Sequence, residues 1–328
     1  MSHRKTFISR RHALAWGGGV AGGLVAASSP LLGTPGSAMA ARARGGIEGG
    51  QHTPPGRLPV QQIENIMQTT GTLRNGVLAI DLERQDLTVT GPHGVPFKPA
   101  FELLHEFFFQ PLANGQAFLN SEFTFVESEM TRVLDAILAN GLTVMSQHQH
   151  FIGERPQTWH YHFRGVGDPL KLAQAAINVV RATPTPLPQM PPSNPTTPLP
   201  KDQLARILGG TAQVGSDGVV TVGVERADTI VIAGIVVHPD AGVDHTIAFE
   251  PLGGGRAACA PDYALIAPEV NSALQTARAV GFEVHCLYNQ ETDEHPQLYF
   301  SHQLATGDPI DLARRVRHVL DTTNTKRA

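Results

Sequence analysis

Alternation of apolar and polar positions predicts strands at Val77–Leu82, Phe101–Phe109 and Phe118–Val126. The period then lengthens. From Ser128 to Asn140, Met130, Val133, Leu134, Ile137 and Leu138 share one helical face, and Gly141 ends the helix. Two-residue alternation returns in Leu142–Ile152 and Thr158–Val166, joined through Gly153-Glu154-Arg155-Pro156. Asp168-Pro169 next marks a helix start, since Asp is a good N-cap and Pro suits the first turn.

The same order recurs downstream. Residues 101–180 align with 241–320 without a gap, with 21 identities in 80 positions. Chance would give roughly 5 for ordinary residue usage, so the chain carries an internal duplication. Between the copies, Pro184 to Pro200 holds 8 prolines in 17 residues and reads as a stiff interdomain spacer. The expected units are therefore 58–183 and 201–328, with the proline-rich linker at 184–200. Short hairpin links make the fold class α+β. Two tandem homologous units are expected, each a mostly antiparallel sheet with two helices on one face.

Residues 1–40 have a different character. Arg10-Arg11 precede a Gly- and Ala-rich apolar run, and Ala38-Met39-Ala40 supplies a small-x-small cleavage pattern. This reads as a twin-arginine signal peptide, and 41–57 as a flexible lead-in. The expected location is periplasmic or secreted. Without residues 1–40 the net charge moves from −4 to −8, which argues against a nucleic-acid partner. No later stretch is long and apolar enough to suggest stable membrane insertion. Cys259 and Cys286 are too few for a disulfide framework or a thiolate zinc site, and a single bond between the two is open in an oxidising compartment.

The run from Glu129 through Gly141-Leu142-Thr143-Val144, then His148-Gln149-His150, Glu154-x-Pro156, His162 and Gly167-Asp168-Pro169-x-x-Leu172-Ala173, resembles the LppY/LpqO family, also catalogued as DUF1259. The resemblance covers nearly all of the chain after residue 40, because members carry the unit twice. It implies an exported protein and no established reaction. The family's diagnostic stretch is His-Asn-His followed by an acidic-proline turn and an aromatic strand ending in His. His148-Gln149-His150 and His162 match it here. The second copy departs, with Tyr288-Asn289-Gln290 in place of the pair but Glu294, Pro296 and His302 kept.

The histidines carry the candidate chemistry. His148 and His150 are two apart on one strand, and His160 and His162 on the next, so each pair shares a face. A hairpin whose paired residue numbers sum to 310 sets His148 opposite His162 and His150 opposite His160. Three or four imidazoles then converge, a donor set suited to Zn²⁺, Cu²⁺ or Ni²⁺. The expected metal ligands are His148, His150 and His162, with His160 or Glu154 assisting. Glu154 is also the candidate general base for metal-bound water, against the plainer expectation of a solvated turn carboxylate. The second copy has Tyr288, Gln290 and Phe300 where the first has His148, His150 and His160. That comparison places the site in the N-terminal unit. His105 and His245 read as structural histidines, and Gly253-Gly254-Gly255 as a hairpin turn.

No nucleophile elbow, Walker loop, dinucleotide fingerprint or two-histidine zinc-protease helix is present. Three functions of different class remain. One is an exported metal-binding protein, with metal-assisted hydrolysis as the natural reaction. The second is a non-catalytic module that binds a small molecule or envelope component in a cleft between the units. The third is a structural or interaction protein with neither metal nor pocket.

Overall fold

Each repeat builds the same six-stranded antiparallel sheet. In the first these are β1 (Thr72–Arg74), β2 (Val77–Glu83), β3 (Leu104–Pro111), β4 (Ala117–Val126), β5 (Thr143–His148) and β6 (Thr158–Gly167), ordered β1-β2-β3-β4-β6-β5. The second has β7 (Thr211–Val214), β8 (Val220–Val224), β9 (His245–Gly253), β10 (Arg256–Ile266), β11 (Glu283–Val284) and β12 (Leu298–Gly307), ordered β7-β8-β9-β10-β12-β11. The computed structural model describes residues 56–326. The expected twin-arginine signal and cleavage site, and residues 41–55 of the lead-in expected at 41–57, lie outside the described residues.

Helices cover one face of each sheet: α1 (Val60–Met67), α2 (Met130–Ala139) and α3 (Pro169–Val180) in the first repeat, α4 (Lys201–Leu208), α5 (Val270–Ala279) and α6 (Pro309–Leu320) in the second. The α+β class holds, with one helix more per unit than the periodicity predicts. The extra helix, α1 or α4, is eight residues long and fully buries only two side chains, Ile63 and Met67 in α1, Leu204 and Leu208 in α4. That is too short a run to register as an amphipathic period. α3 and α6 begin as expected: the Asp168 and Asp308 side chains each accept two backbone N–H bonds of the first turn.

Strand alternation divides the side chains between two layers. Phe107, Phe109, Leu119, Phe123, Phe125, Tyr161 and Phe163 join the helices in one core. The opposite faces of the two sheets turn toward each other. There the segment after β2 crosses onto the second repeat, packing Val95, Phe97 and Phe101 with Ala248, Ala258 and Leu304. The segment after β8 crosses back, setting Ile230, Ile232 and Val243 with Val77 and Phe118. Phe101 lies in a helical turn, Pro99–Glu102, at the end of the first crossing, so β3 starts only at Leu104.

The repeats therefore meet along packed inner faces and are not held apart by a strut. Residues 184–200 contain no helix or strand. They are strapped to the first repeat, where the Gln189 side chain bonds both the backbone N–H and the C=O of Glu83, at 2.8 and 2.7 Å. A buried ion pair is duplicated with the fold. Arg84 makes a two-pronged bond to Glu129 (2.9 and 3.0 Å), and Arg226 does the same to Glu269 (2.9 and 3.1 Å).

Candidate metal centre at the seam

The histidines sit on the inner face of the first sheet, where it meets the second repeat. The β5–β6 ladder pairs His148 with His160 and Ser146 with His162, a sum of 308 in place of the expected 310. A register shift between Val144 and Ser146 separates these pairs from Thr143–Arg164 and Val144–Phe163, whose sum is 307. His150 has left the strand, which ends at His148. A slip of two residues preserves the face, so all four rings still lie on the same side. Their centroids are close: His150 to His160 3.5 Å, His148 to His150 5.0 Å, His148 to His162 5.1 Å. All four residues are buried.

The group that organises them is one the sequence reading passed over. Glu122 projects from β4 directly opposite His162. Its Oε1 lies 2.9 Å from His150 Nε2 and 3.1 Å from His160 Nδ1, and its Oε2 lies 3.4 Å from His162 Nε2. His150 Nε2 also lies 3.0 Å from His148 Nε2. Glu122, His148 and His150 thus offer three ligand atoms within 4.8 Å of one another. Donors bound at 2.0–2.1 Å around a tetrahedral ion stand roughly 3.3 Å apart, and these spacings are of that size. Among the described residues, His148 Nδ1, His160 Nε2 and both ring nitrogens of His162 have no hydrogen-bond partner.

The second repeat also reaches the cluster. His302, the counterpart of His162, stacks on His150 with centroids 3.5 Å apart, and Tyr288 stacks on His148 at 3.5 Å. Asp262 pairs with His302 across the β10–β12 ladder as Glu122 pairs with His162. Glu102, at the end of the crossing segment, approaches His150 Nδ1 at 3.1 Å. Glu102, His150 and His302 form a second group of three donors within 4.8 Å. The cluster therefore belongs to the seam, not to the first repeat alone. A cavity of about 100 Å³ adjoins it, lined by Glu102, Glu106, Glu122, His150, Asp262 and His302 among others.

Electrostatics follow from burial. It drives His148 and His302 well below the usual imidazole value, His150 to about 3 and His162 to about 4, so these rings are neutral at pH 7. Burial also raises Glu102, Glu106 and Asp262 well above the carboxylate range, with help from the charge of Glu122. Burial works against the Glu122 carboxylate too, but His150 and His162 and hydrogen bonds from His150 and His160 outweigh it. Glu122 is held well below its ordinary value. The result is a buried carboxylate ringed by imidazoles, with His150 and His160 donating to it. Among the described residues its ion-pair partners are histidines, with no Lys or Arg.

Glu154 has a different position from either one expected for it. It is buried, not solvated, and the next residue, Arg155, pairs with Thr90 of the crossing segment. Its Oε2 accepts from the Thr158 backbone N–H (2.9 Å), the Thr158 hydroxyl and Gln157 Nε2 (3.0 Å). Glu294 makes the matching contacts to Leu298 and Gln297 in the repeat that lacks the histidine pair. Bracing the turn is the role common to both. Glu154 is not a member of either three-donor group.

The remaining residues singled out in the sequence are accounted for locally. His105 stacks on Phe123 at 3.8 Å on the helix side of the sheet and meets the Thr185 hydroxyl at 2.8 Å. His245 accepts from the Ala264 backbone N–H at 3.1 Å. Gly253, Gly254 and Gly255 turn between β9 and β10, all with positive φ. Cys259 and Cys286 are not bonded to each other. Cys286 Sγ instead sits 3.4 Å from His302 Nδ1.

Fold and site together define a two-unit α+β protein with a histidine–carboxylate centre where its repeats meet. Residues 61–182 and 202–322 each match the family described as Domain of Unknown Function (DUF1259), and the chain belongs to that family. No curated protein matches it. Among solved structures it is similar to a trimeric bacterial microcompartment shell protein, PduB, at 10% identity over 78% of this chain and 95% of that one, with a TM-score of 0.21. It is also similar to EtuB from Clostridium kluyveri, at 9% identity over 77% and 90%, with a TM-score of 0.18. Scores this low carry no argument about fold or role. Among the described residues no helix is long and apolar enough to cross a membrane.

Proposed function

We propose that the protein binds a divalent transition metal through Glu122, His148 and His150, with His160 and His162 closing the site around it. The observation that carries this reading is the convergence of donors: Glu122 lies 2.9–3.4 Å from His150, His160 and His162, and His150 Nε2 lies 3.0 Å from His148 Nε2. Among the described residues no Lys or Arg pairs with Glu122. Neutral nitrogens and one carboxylate are a donor set that binds a divalent cation. Nitrogen-rich, thiolate-free donors suit Zn²⁺ or Cu²⁺.

Three protein ligands leave a tetrahedral ion one position for water, which a metal of this kind activates near neutral pH. Metal-assisted hydrolysis is the reaction that fits. The adjoining cavity of about 100 Å³ is far below the 300–1,000 Å³ usual for drug-sized ligands, so a substrate would present only a small group to the ion. Arg10-Arg11 and Ala38-Met39-Ala40 support export by the twin-arginine route, which fits the LppY/LpqO resemblance.

Metal analysis of the purified full chain tests the reading. Retained zinc or copper, reduced by Glu122→Gln and by His148→Ala in variants that remain folded, is the expected result. A metal-free chain whose melting temperature ignores added Zn²⁺, Cu²⁺ and Ni²⁺ would remove it.

A further inference from the structure

His150 is approached by a carboxyl group at each of its ring nitrogens. Nε2 lies 2.9 Å from Glu122 and Nδ1 lies 3.1 Å from Glu102. A neutral imidazole carries only one N–H, so one of its two nitrogens keeps a lone pair. The ring is also buried and stacked on both faces, by His160 and by His302, each at 3.5 Å. Binding one ion through both His150 and His302 tilts the two rings out of that stack, because each lone pair lies in its ring plane.

The two ends of the ring face two separate donor groups. At Nε2 are Glu122 and His148; Glu102 approaches Nδ1, and His302, from the other repeat, completes a three-donor group with Glu102 and His150. His302 is itself flanked by Cys286 Sγ at 3.4 Å and Asp262 Oδ1 at 3.7 Å, both reaching its Nδ1. That Asp262 oxygen is buried and among the described residues has no hydrogen-bond partner. The cavity beside this second group is lined by Glu102, His150, Asp262 and His302. At about 100 Å³ it exceeds the roughly 10–15 Å³ that one water needs.

We propose that a second divalent transition-metal ion is held at the seam by Glu102, His150 and His302, so that the His150 ring links it to the ion at Glu122 and His148. This rests on the metal-binding reading above and goes beyond it. The protein becomes a two-metal centre whose second position exists only when both repeats are folded together. Loading both positions requires His150 to give up its remaining ring proton to solvent and coordinate through both nitrogens as an imidazolate. The second ion then also ties the repeats to each other.

The test is metal stoichiometry of the full chain, stripped with chelator and reloaded with Zn²⁺ or Co²⁺. The expected values are two ions for the wild type and one each for His302→Ala, Glu102→Gln and His148→Ala. His150→Ala should retain neither ion tightly. Thermal melts identify variants that fail to fold, and His302→Gln replaces His302→Ala should that chain not fold. A wild type that saturates at one ion, lost in His148→Ala but kept in His302→Ala and Glu102→Gln, overturns the second position and leaves the first. No bound ion in any chain overturns both.

Discussion

His150 of the first repeat and His302 of the second lie face to face, with ring centroids 3.5 Å apart and planes 17° from parallel. The contact puts residues from both copies into one cluster. A duplicated fold has thus kept two unequal halves: four histidines and Glu122 from one, His302, Asp262 and Tyr288 from the other.

Replacing Glu122 should lower stability both with and without metal. In the metal-free chain, Glu122→Gln removes a carboxylate that folding holds below its ordinary value and should lower the melting temperature. Metal at 100 times its dissociation constant should stabilise the wild type by about 2.7 kcal/mol, and the variant by much less. Calorimetric melts with and without Zn²⁺ measure both effects.

How much of this could be read beforehand depended on what the duplication preserved. Asp168 and Asp308 were legible because cap chemistry is local and both copies carry it. The shared face of His148, His150, His160 and His162 was legible because strand parity survives a slip of two, although the pairing itself was off by two. Glu122 was missed because its counterpart is Asp262, an acid of a different name that a search for identities passes over. An acid midway along the apolar run from Ala117 to Val126, repeated as an acid 140 residues later, was the available signal. His302 stands in the sequence only as a histidine the second copy keeps, because no local pattern tells where two inner faces will meet. Crossing segments such as Val95–Phe101 place Glu102 at the seam through tertiary packing alone.

The duplicated ion pair should be costly to break. Arg84 is fully buried and bonds Glu129, Asp86 and the Thr124 carbonyl. Removing one member strands the other, so Arg84→Ala should cost about 3–5 kcal/mol. The double change Arg84→Met with Glu129→Leu should recover much of that. Urea titrations of the three chains check it.

Capping sets a smaller effect. The Asp168 carboxylate accepts the Leu170 and Lys171 backbone N–H bonds at 2.9 and 3.0 Å. Asp168→Ala should cost about 1 kcal/mol, and Asp168→Asn far less. The same urea measurement separates them.

Glu250 should make stability fall with rising pH. Burial lifts its carboxyl to about 7, with the Lys98 backbone N–H and the Lys98 charge pulling the other way. The folded value lies above the unfolded one. The contribution is therefore complete below about pH 4.5 and is lost as pH rises through 7. Stability of Glu250→Gln relative to wild type should improve by on the order of 1–2 kcal/mol between pH 5 and 8. A flat difference across that range would place the Glu250 titration elsewhere.

X-ray absorption at the metal edge of the zinc-loaded full chain bears most directly on the central claim. The account predicts nitrogen and oxygen donors at about 2.0–2.1 Å, with the outer-shell scattering of imidazole rings, and loss of that scattering in His148→Ala/His150→Ala. An oxygen-only shell without imidazole features, or zinc that washes off the wild type, would contradict it.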